Sequence, residues 1–220
     1  MKRFVPTIDS GSRSPDAIFA DLEEAFRSPW RDRMVEIADL IAGLRAEANL
    51  LRWFIAKVAR RKEWPKLTGA QSFTLFSSET MLARINLWFP LSADASDSYR
   101  RYLSIEELHN HDFDFFTTCL FGPGYVSTFW QDHEFHETRR VGDKIALTDR
   151  ETHRLEGNDV WFVAASTDFH SQHAPSSFSV TLNVLPNWLE RPTTIQYVLD
   201  EGHSIKTVID SGLPPIDLAA

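Results

Sequence analysis

Two histidines separated by one residue form the segment His109-Asn110-His111. The surrounding residues predict an extended strand, in which side chains two positions apart leave the same face of a sheet. A third histidine, His170, follows a turn at Gly157-Asn158-Asp159 and the apolar segment at 160–163. Imidazole suits iron, copper, nickel and zinc, so three such rings brought together predict a transition-metal site with open coordination positions.

The other histidines and the cysteine carry weaker signals. His173 lies three residues after His170, and both stay open as the third ligand. His133 and His136 lie in a charged stretch that predicts solvated surface. Cys119 is the single cysteine, which excludes an intramolecular disulfide and a cysteine-rich zinc site. Its apolar neighbours predict a buried structural thiol.

The composition is that of a packed globular protein, with 43% hydrophobic and 12% aromatic residues among 220. A net charge of −8 argues against nucleic acid as a partner. One basic stretch, at 57–62, is interpreted as the solvated end of a helix. No apolar run approaches the roughly 18 residues of a membrane span, and the first residues lack the apolar centre of a signal peptide. With the single cysteine, these features predict a cytoplasmic protein without a membrane partner.

The first part of the chain has helical periodicity. Ser14-Pro15-Asp16 gives an N-cap followed by proline at the first helical position. Ser28-Pro29-Trp30 repeats this start signal, and apolar residues then recur with a helical period to residue 61. Gly43 either interrupts this pattern or marks a close packing contact, and Trp64-Pro65 ends it. The pattern predicts two or more helices.

From residue 71 the apolar period changes to two, which predicts β-strands. The predicted strands lie at 72–76, 80–89, 113–121, 125–130, 144–147, 160–163 and 178–185. Many short strands separated by turns indicate an antiparallel sandwich or barrel. We therefore predict a mainly β fold in three parts. These are an N-terminal arm and helical region at 1–68, with a loose arm over about the first 14 residues, a barrel at 69–200 and a polar C-terminal tail at 201–220.

In these motifs the sequence resembles the cupin superfamily, whose members are small double-stranded β-helix barrels. His109-Asn110-His111 with Gly122 downstream resembles the family's first motif. The turn at Gly157, the apolar strand after it, Ala164-Ala165-Ser166 and His170 resemble the second. The resemblance covers about residues 71–190. It implies a jelly-roll barrel preceded by the helical region, with His109, His111 and His170 as metal ligands.

The glutamate of the family's first motif is missing, since Phe115 and Phe116 occupy its neighbourhood. The resemblance therefore implies the three-histidine cupins, which include the thiol dioxygenases that hold ferrous iron and activate O2. The segment at 179–186 also resembles the strand that follows the third histidine in those enzymes. The strand at 73–78 lacks the arginine with which they bind the substrate carboxylate. A cysteine or cysteamine substrate is therefore not implied.

Arg84, Asn86 and Trp88 share one face of their predicted strand. If that face points into the barrel, Arg84 could bind a substrate carboxylate with two hydrogen bonds; if it points outward, Arg84 is solvated. The sequence leaves both orientations open. Tyr125 is a further candidate for contact with the substrate.

Two aspartates and a group of phenylalanines surround the His-x-His segment. Asp112 or Asp114 is a candidate partner that orients a ligand histidine. The phenylalanines are expected to form a wall that keeps the metal dry: Phe113, Phe115, Phe116 and Phe121.

The leading functional hypothesis is a mononuclear non-haem Fe(II) oxygenase or dioxygenase that acts on a small polar metabolite, an amino acid or an amine, with O2. One alternative is a metal- or ligand-binding cupin without turnover. The other is a non-redox isomerase or lyase that uses Zn(II), Ni(II) or Mn(II). The expected partners are the small-molecule substrate and O2, and the resemblance alone implies a homodimer.

Overall fold

The computed structural model describes residues 1–6, 13–27, 29–46, 50–61, 67–69, 71–92, 94–186 and 193–211. The helices in these ranges are α1 (Pro15–Phe26), a 3-10 helix (Trp30–Arg33), α2 (Met34–Ala46), α3 (Leu50–Arg61) and α4 (Asp97–Tyr102). The predicted helical region is thereby confirmed, and the basic stretch lies at the C-terminal end of α3. Ser28, Lys62, Trp64 and Pro65 lie outside the described residues.

The strands within the described ranges are β1 (Lys2–Phe4), β2 (Leu67–Gly69), β3 (Ser72–Ser77), β4 (Met81–Trp88), β5 (Leu108–His109), β6 (Phe115–Phe121), β7 (Val126–Gln131), β8 (Thr148–Arg154), β9 (Val160–Val163), β10 (Asp168–His173), β11 (Ser179–Pro186), β12 (Ile195–Leu199) and β13 (Ile205–Asp210). They form a seven-stranded sheet in the order β1-β9-β6-β11-β4-β3-β2 and a six-stranded sheet in the order β13-β12-β5-β10-β7-β8.

The eight strands from β4 to β11 follow the connectivity of a jelly roll. β4, β6, β9 and β11 lie in the seven-stranded sheet, while β5, β7, β8 and β10 lie in the six-stranded sheet. The chain crosses from one sheet to the other at every connection except β7–β8, and all the pairings are antiparallel. Two packed antiparallel sheets connected in this way form a jelly-roll barrel, which confirms the predicted fold class.

The helices pack on the outer face of the seven-stranded sheet. Ser14 caps α1, because its hydroxyl accepts a hydrogen bond from Ala17 N at 3.2 Å. Buried residues of α1 and α2, including Leu22 and Ile41, share a core with the outward-facing residues of β4 and β11, such as Ile85 and Leu182. Gly43 does not interrupt α2, and a Cβ there would lie at an ordinary van der Waals distance of 3.6 Å from Ile18 Cδ1. The helical layer therefore extends the core on the outside of the barrel.

A second core fills the inside of the barrel. It contains Leu82 and Trp88 of β4, Phe115 of β6 and Trp161 of β9. Consecutive residues of each strand thus divide between the two cores, as the period of two requires. Cys119 also lies in this inner core and is 4% exposed, so the predicted buried thiol is confirmed.

Several strands depart from the sequence prediction. The strand expected at 144–147 is wrong, because Lys144 forms only an isolated bridge and β8 follows it instead. β8 lies at a sheet edge with charged and largely exposed side chains, so no apolar alternation marks it. Residues 2–4, in the arm expected to be loose, form β1 against β9. In the expected polar tail, 205–210 forms β13.

The turn between β6 and β7 requires its glycines. Gly122 and Gly124 have φ angles of 81° and 68°. A Cβ at Gly124 would lie 1.7 Å from the Leu155 carbonyl oxygen, so no side chain fits there. The division of the chain at residues 68 and 200 stays a prediction. None of the described helices is long and apolar enough to cross a membrane.

Candidate metal centre

The three predicted histidines come together inside the barrel. His109 ends β5 and lies directly opposite His170 of the neighbouring strand β10. His111 follows β5 by two residues, so the predicted strand is shorter than expected although both rings join the cluster. One donor atom from each histidine lies within 4.8 Å of the other two. His170 lies in β10, directly after the turn at 165–167, as the second motif predicted.

The segment that carries the first two histidines is tied to the turn that precedes the third. Ser166 N donates to the His111 carbonyl oxygen at 2.8 Å, and the Asn110 amide donates to the Ser166 carbonyl oxygen at 2.8 Å. Asn110 also accepts from Tyr197 N of β12 at 2.7 Å. Three segments distant in sequence therefore fix the positions of the rings.

The nitrogen positions fit one metal ion. His111 Nε2 and His170 Nε2 lie 3.0 Å apart. Two nitrogens that each bind one ion at about 2.1 Å and at right angles would lie about 3.0 Å apart. His109 Nδ1 lies 2.9 Å from the Glu107 carbonyl oxygen, which can only accept a hydrogen bond. His109 Nδ1 therefore carries the proton, and the lone pair for a metal is on Nε2.

The electrostatics of the cluster keep the imidazoles neutral. Burial lowers the pKa of His109 below its ordinary value. Burial, followed by the charge of neighbouring His109, lowers the pKa of His111 and of His170 well below theirs. Since a metal binds the neutral ring, the site is prepared for coordination at neutral pH.

The centre is buried on one side and accessible on the other. His170 is 1% exposed, whereas His109 and His111 are partly exposed. No aspartate, glutamate or cysteine of the described residues belongs to the cluster. The donor set is therefore three neutral imidazoles, which leaves further coordination positions on the accessible side.

Aromatic rings surround the histidines. Phe113 and Phe115 lie 4.8 and 5.1 Å from the His111 ring, and Phe129 of β7 lies 5.6 Å from His170. Two members of the predicted phenylalanine wall lie elsewhere. Phe116 faces the helices beside Trp30, and Phe121 is 63% exposed at the end of β6. The strand alternation separates Phe115 from Phe116, and no sequence signal indicated Phe129.

Arg84, Asn86 and Trp88 point into the barrel, which resolves the alternative that the sequence left open. Leu82 and Trp88 belong to the inner core, while Ala83 and Ile85 belong to the core beneath the helices. The Arg84 guanidinium lies 5.3 Å from the centre of the Phe113 ring, and its buried Nε has no hydrogen-bond partner within the described part of the chain. Burial lowers the pKa of Arg84 to about 10, so it stays charged at neutral pH.

The residues beside Arg84 are polar. Asn183 of β11 lies opposite both Arg84 and Thr117, and accepts a hydrogen bond from Thr117 at 2.8 Å. Tyr125 is 2% exposed, and burial raises the pKa of Tyr125 to about 12. On the far side from the centre, Trp88 Nε1 donates to Thr181 at 2.9 Å, and Asn86 is 4% exposed. A polar region that contains the Arg84 cation therefore adjoins the histidines.

The other predicted residues lie outside the cluster. His173 points away, with Nε2 3.5 Å from Thr128 Oγ1, because it lies an odd number of residues from His170. His133 is exposed, and its Nε2 forms a hydrogen bond with Asp149 at 3.0 Å. Asp114 accepts from Ala165 N at 2.8 Å and pairs with Arg31, and Asp112 accepts from Ser211.

Gln196 of β12 lies beside His111, because the pairing of Val198 with His109 continues to these two residues. No pattern in the sequence pointed to Gln196, since the apolar alternation at 195–199 is too short to predict a strand.

No protein-family model and no curated relative matches the sequence. Among solved structures, the chain is similar to a cupin domain from Bordetella pertussis, with 10% identity and a TM-score of 0.32, over 56% of this chain and 96% of that one. It is similar to TT1209 from Thermus thermophilus, with 19% identity and a TM-score of 0.30, over 59% of this chain and 93% of that one.

An oxalate decarboxylase is a third similar structure. It has 13% identity and a TM-score of 0.35, and the alignment covers 58% of this chain and 28% of the decarboxylase. The assignment of the jelly-roll barrel rests on the strand order of this chain itself.

Proposed function

We propose that the protein is a mononuclear non-haem Fe(II) oxygenase or dioxygenase that acts on a small polar metabolite with O2. The observation that supports the proposal is the cluster of His109, His111 and His170, with two Nε2 atoms 3.0 Å apart and no carboxylate among the described donors. When bound, Fe(II) would supply redox chemistry with O2 at the positions that three protein ligands leave open.

The protein's own residues would hold the reactants and exclude water. The three imidazoles would bind the ion as neutral ligands, since their pKa values are lowered. Phe113, Phe115 and Phe129 present ring carbons to the histidines, and so limit the approach of bulk water. We infer that the substrate reaches the centre from the side of His109 and His111, because these two ligands are partly exposed.

Arg84 supports a substrate that carries a carboxylate. Its side chain lies next to the Phe113 ring, which in turn lies against His111. Its buried Nε finds no acceptor in the described ranges, and a buried donor without a partner costs about 1–3 kcal/mol. A substrate carboxylate would supply that acceptor and a compensating charge. We therefore favour an acid or an amino acid over a simple amine.

Two other functions share this geometry. A metal- or ligand-binding cupin without turnover would use the same cluster to hold an ion. A non-redox isomerase or lyase would use it to hold Zn(II), Ni(II) or Mn(II), since imidazole suits several of these ions. The choice of iron and O2 rests on the all-imidazole donor set and on the resemblance of the sequence to three-histidine cupins.

The decisive experiment measures metal content and O2 uptake together. Protein purified without oxygen is analysed for metals beside the variant H109A/H111A, and the Fe(II)-loaded form is screened with amino acids and simple carboxylates in an oxygen electrode. We expect about one iron per chain, lost in the variant, and O2 uptake that depends on substrate. Metal binding without O2 uptake would support the binding protein, and activity with zinc or nickel in the absence of O2 would support the isomerase or lyase.

A further inference from the structure

The C-terminal strand β12 brings a side chain to the candidate metal centre. β12 pairs with β5 in antiparallel register, with Val198 opposite His109 and Leu199 opposite Leu108. Continuing this register by two residues places Gln196 opposite His111. The register is held beyond the end of β5, because Asn110 N donates to the Tyr197 carbonyl oxygen at 3.2 Å and the Asn110 side chain accepts from Tyr197 N.

Cross-strand neighbours of an antiparallel pair point to the same face of the sheet, so this register places the Gln196 side chain beside the His111 ring. A carboxamide oxygen in this position can accept a hydrogen bond from a ring N–H. His111 Nε2 faces His170 Nε2 at 3.0 Å and is the atom that would bind the metal. The nitrogen left for Gln196 is therefore Nδ1.

We infer that Gln196 is the positioning residue of the metal centre, because its amide oxygen holds the Nδ1–H of His111 and so directs the Nε2 lone pair at the metal. This inference rests on the proposed metal site. A ligand histidine normally donates its second ring N–H to an acceptor, which fixes the tautomer and strengthens the ligand.

The three histidines are held unequally. The partner of His109 Nδ1 is the main-chain oxygen of Glu107. A substitution of the Glu107 side chain would leave this oxygen in place. His170 Nδ1 is buried and has no hydrogen-bond partner among the described residues. Of the three rings, His111 is the one whose second nitrogen faces a side chain, so Gln196 is the position at which ligand orientation is open to change by mutation.

The test compares two substitutions of similar length. Q196M removes the acceptor oxygen, whereas Q196E keeps it. T207M, at an exposed residue of β13, controls for a methionine added to the same hairpin. Each variant and the wild type are titrated with Co(II), whose visible absorption reports the number and type of ligands. We expect Q196M to weaken Co(II) binding by about 10- to 100-fold and to change the spectrum. Q196E and T207M should keep the affinity and the spectrum of the wild type.

A second measurement requires no variant. In Zn(II)-loaded wild-type protein with 15N-labelled histidine, the nitrogen spectrum should show a protonated Nδ1 and a metal-bound Nε2 at His111. This result keeps the inference testable if Q196M does not fold.

The outcomes separate this inference from the proposed oxygenase. Wild-type-like Co(II) binding by Q196M, or a metal-bound Nδ1 at His111, overturns the role of Gln196 alone. Wild-type protein that binds neither Co(II) nor Zn(II) overturns the role and the metal site together. Binding that depends on Gln196 supports the role whether or not the iron form consumes O2.

Discussion

At the residue scale, strand alternation decides which histidine on β10 can serve as the third ligand. His170 joins the inner cluster, while His173 lies near Thr128. H170A should therefore remove stoichiometric metal, and H173A should bind metal within about threefold of the wild type. Metal analysis of both variants after equal loading tests this. A loss of metal in H173A with retention in H170A would assign the ligand to the other histidine.

Arg84 is expected to determine binding of acidic ligands. In the Co(II)-loaded protein, R84M should weaken binding of glycine or acetate by about 10- to 100-fold. This loss corresponds to the roughly 1.5–3 kcal/mol of a hydrogen bond to a charged group. Titrations followed by the metal's absorption would measure it. Because the guanidinium is about 5.3 Å from the centre of Phe113 rather than bound to the histidines, Co(II) affinity itself should be unchanged. Equal carboxylate affinity in R84M and the wild type would exclude the role.

The lowered histidine pKa values predict a loss of stability in acid. In the unfolded chain these imidazoles take up protons near pH 6.5, while burial in the folded protein lowers the pKa of each. Below about pH 6.5 the unfolded state thus binds more protons than the folded state. The free energy of unfolding therefore decreases as the pH is lowered. Each histidine contributes up to about 1.4 kcal/mol per pH unit. Burial raises the pKa of Asp114, so this carboxyl acts in the opposite direction.

Urea unfolding of metal-free protein between pH 7.5 and 5.5 measures this effect. The variant H109N/H111N/H170N should show a flatter dependence over the same range. An equal slope in the two proteins would assign the acid sensitivity to other groups.

At the element scale, the hairpin of β12 and β13 connects through Asn110 to the segment that carries His109 and His111. This side chain is 0% exposed, accepts from Tyr197 N and donates to the Ser166 carbonyl oxygen. N110A would leave both main-chain groups without partners and should cost about 2–4 kcal/mol of unfolding free energy. Because both contacts position the histidine segment, metal affinity should fall as well. Urea unfolding and Co(II) titration, with T207A as the control on β13, would measure the two effects.

Some helices and strands can be predicted from their own residues, whereas others depend on their partners in the fold. α1 is indicated by its own residues, since Ser14 caps it and its apolar face recurs with helical spacing. β8 and β13 lie at the edges of their sheet, where few side chains are buried and no apolar alternation is required. Their place is set by pairing with strands far away in sequence.

At the scale of the whole molecule, the helices and the metal centre lie on opposite sides of the seven-stranded sheet. Leu22 of α1 is 0% exposed and belongs to the core beneath the helices, while Phe115 belongs to the inner core beside His111. L22A should cost about 2–5 kcal/mol of unfolding free energy and leave Co(II) affinity unchanged. F115A should lower both the unfolding free energy and the Co(II) affinity. Comparing thermal unfolding with Co(II) titration separates the two layers, and a loss of metal in L22A would show that they are coupled.

The sequence by itself predicted a candidate metal site and the order of its residues along the chain. The residue types at His109, His111 and His170 predicted a metal site, and the period of two predicted the alternation that divides each strand between two cores. Tertiary structure alone decided that Arg84 faces inward, that Phe129 replaces Phe116 and Phe121 beside the histidines, and that Gln196 contacts His111. Alternation fixes which residues share a face, but which face becomes the interior depends on the strand and helix packed against it, and those partners are distant in sequence.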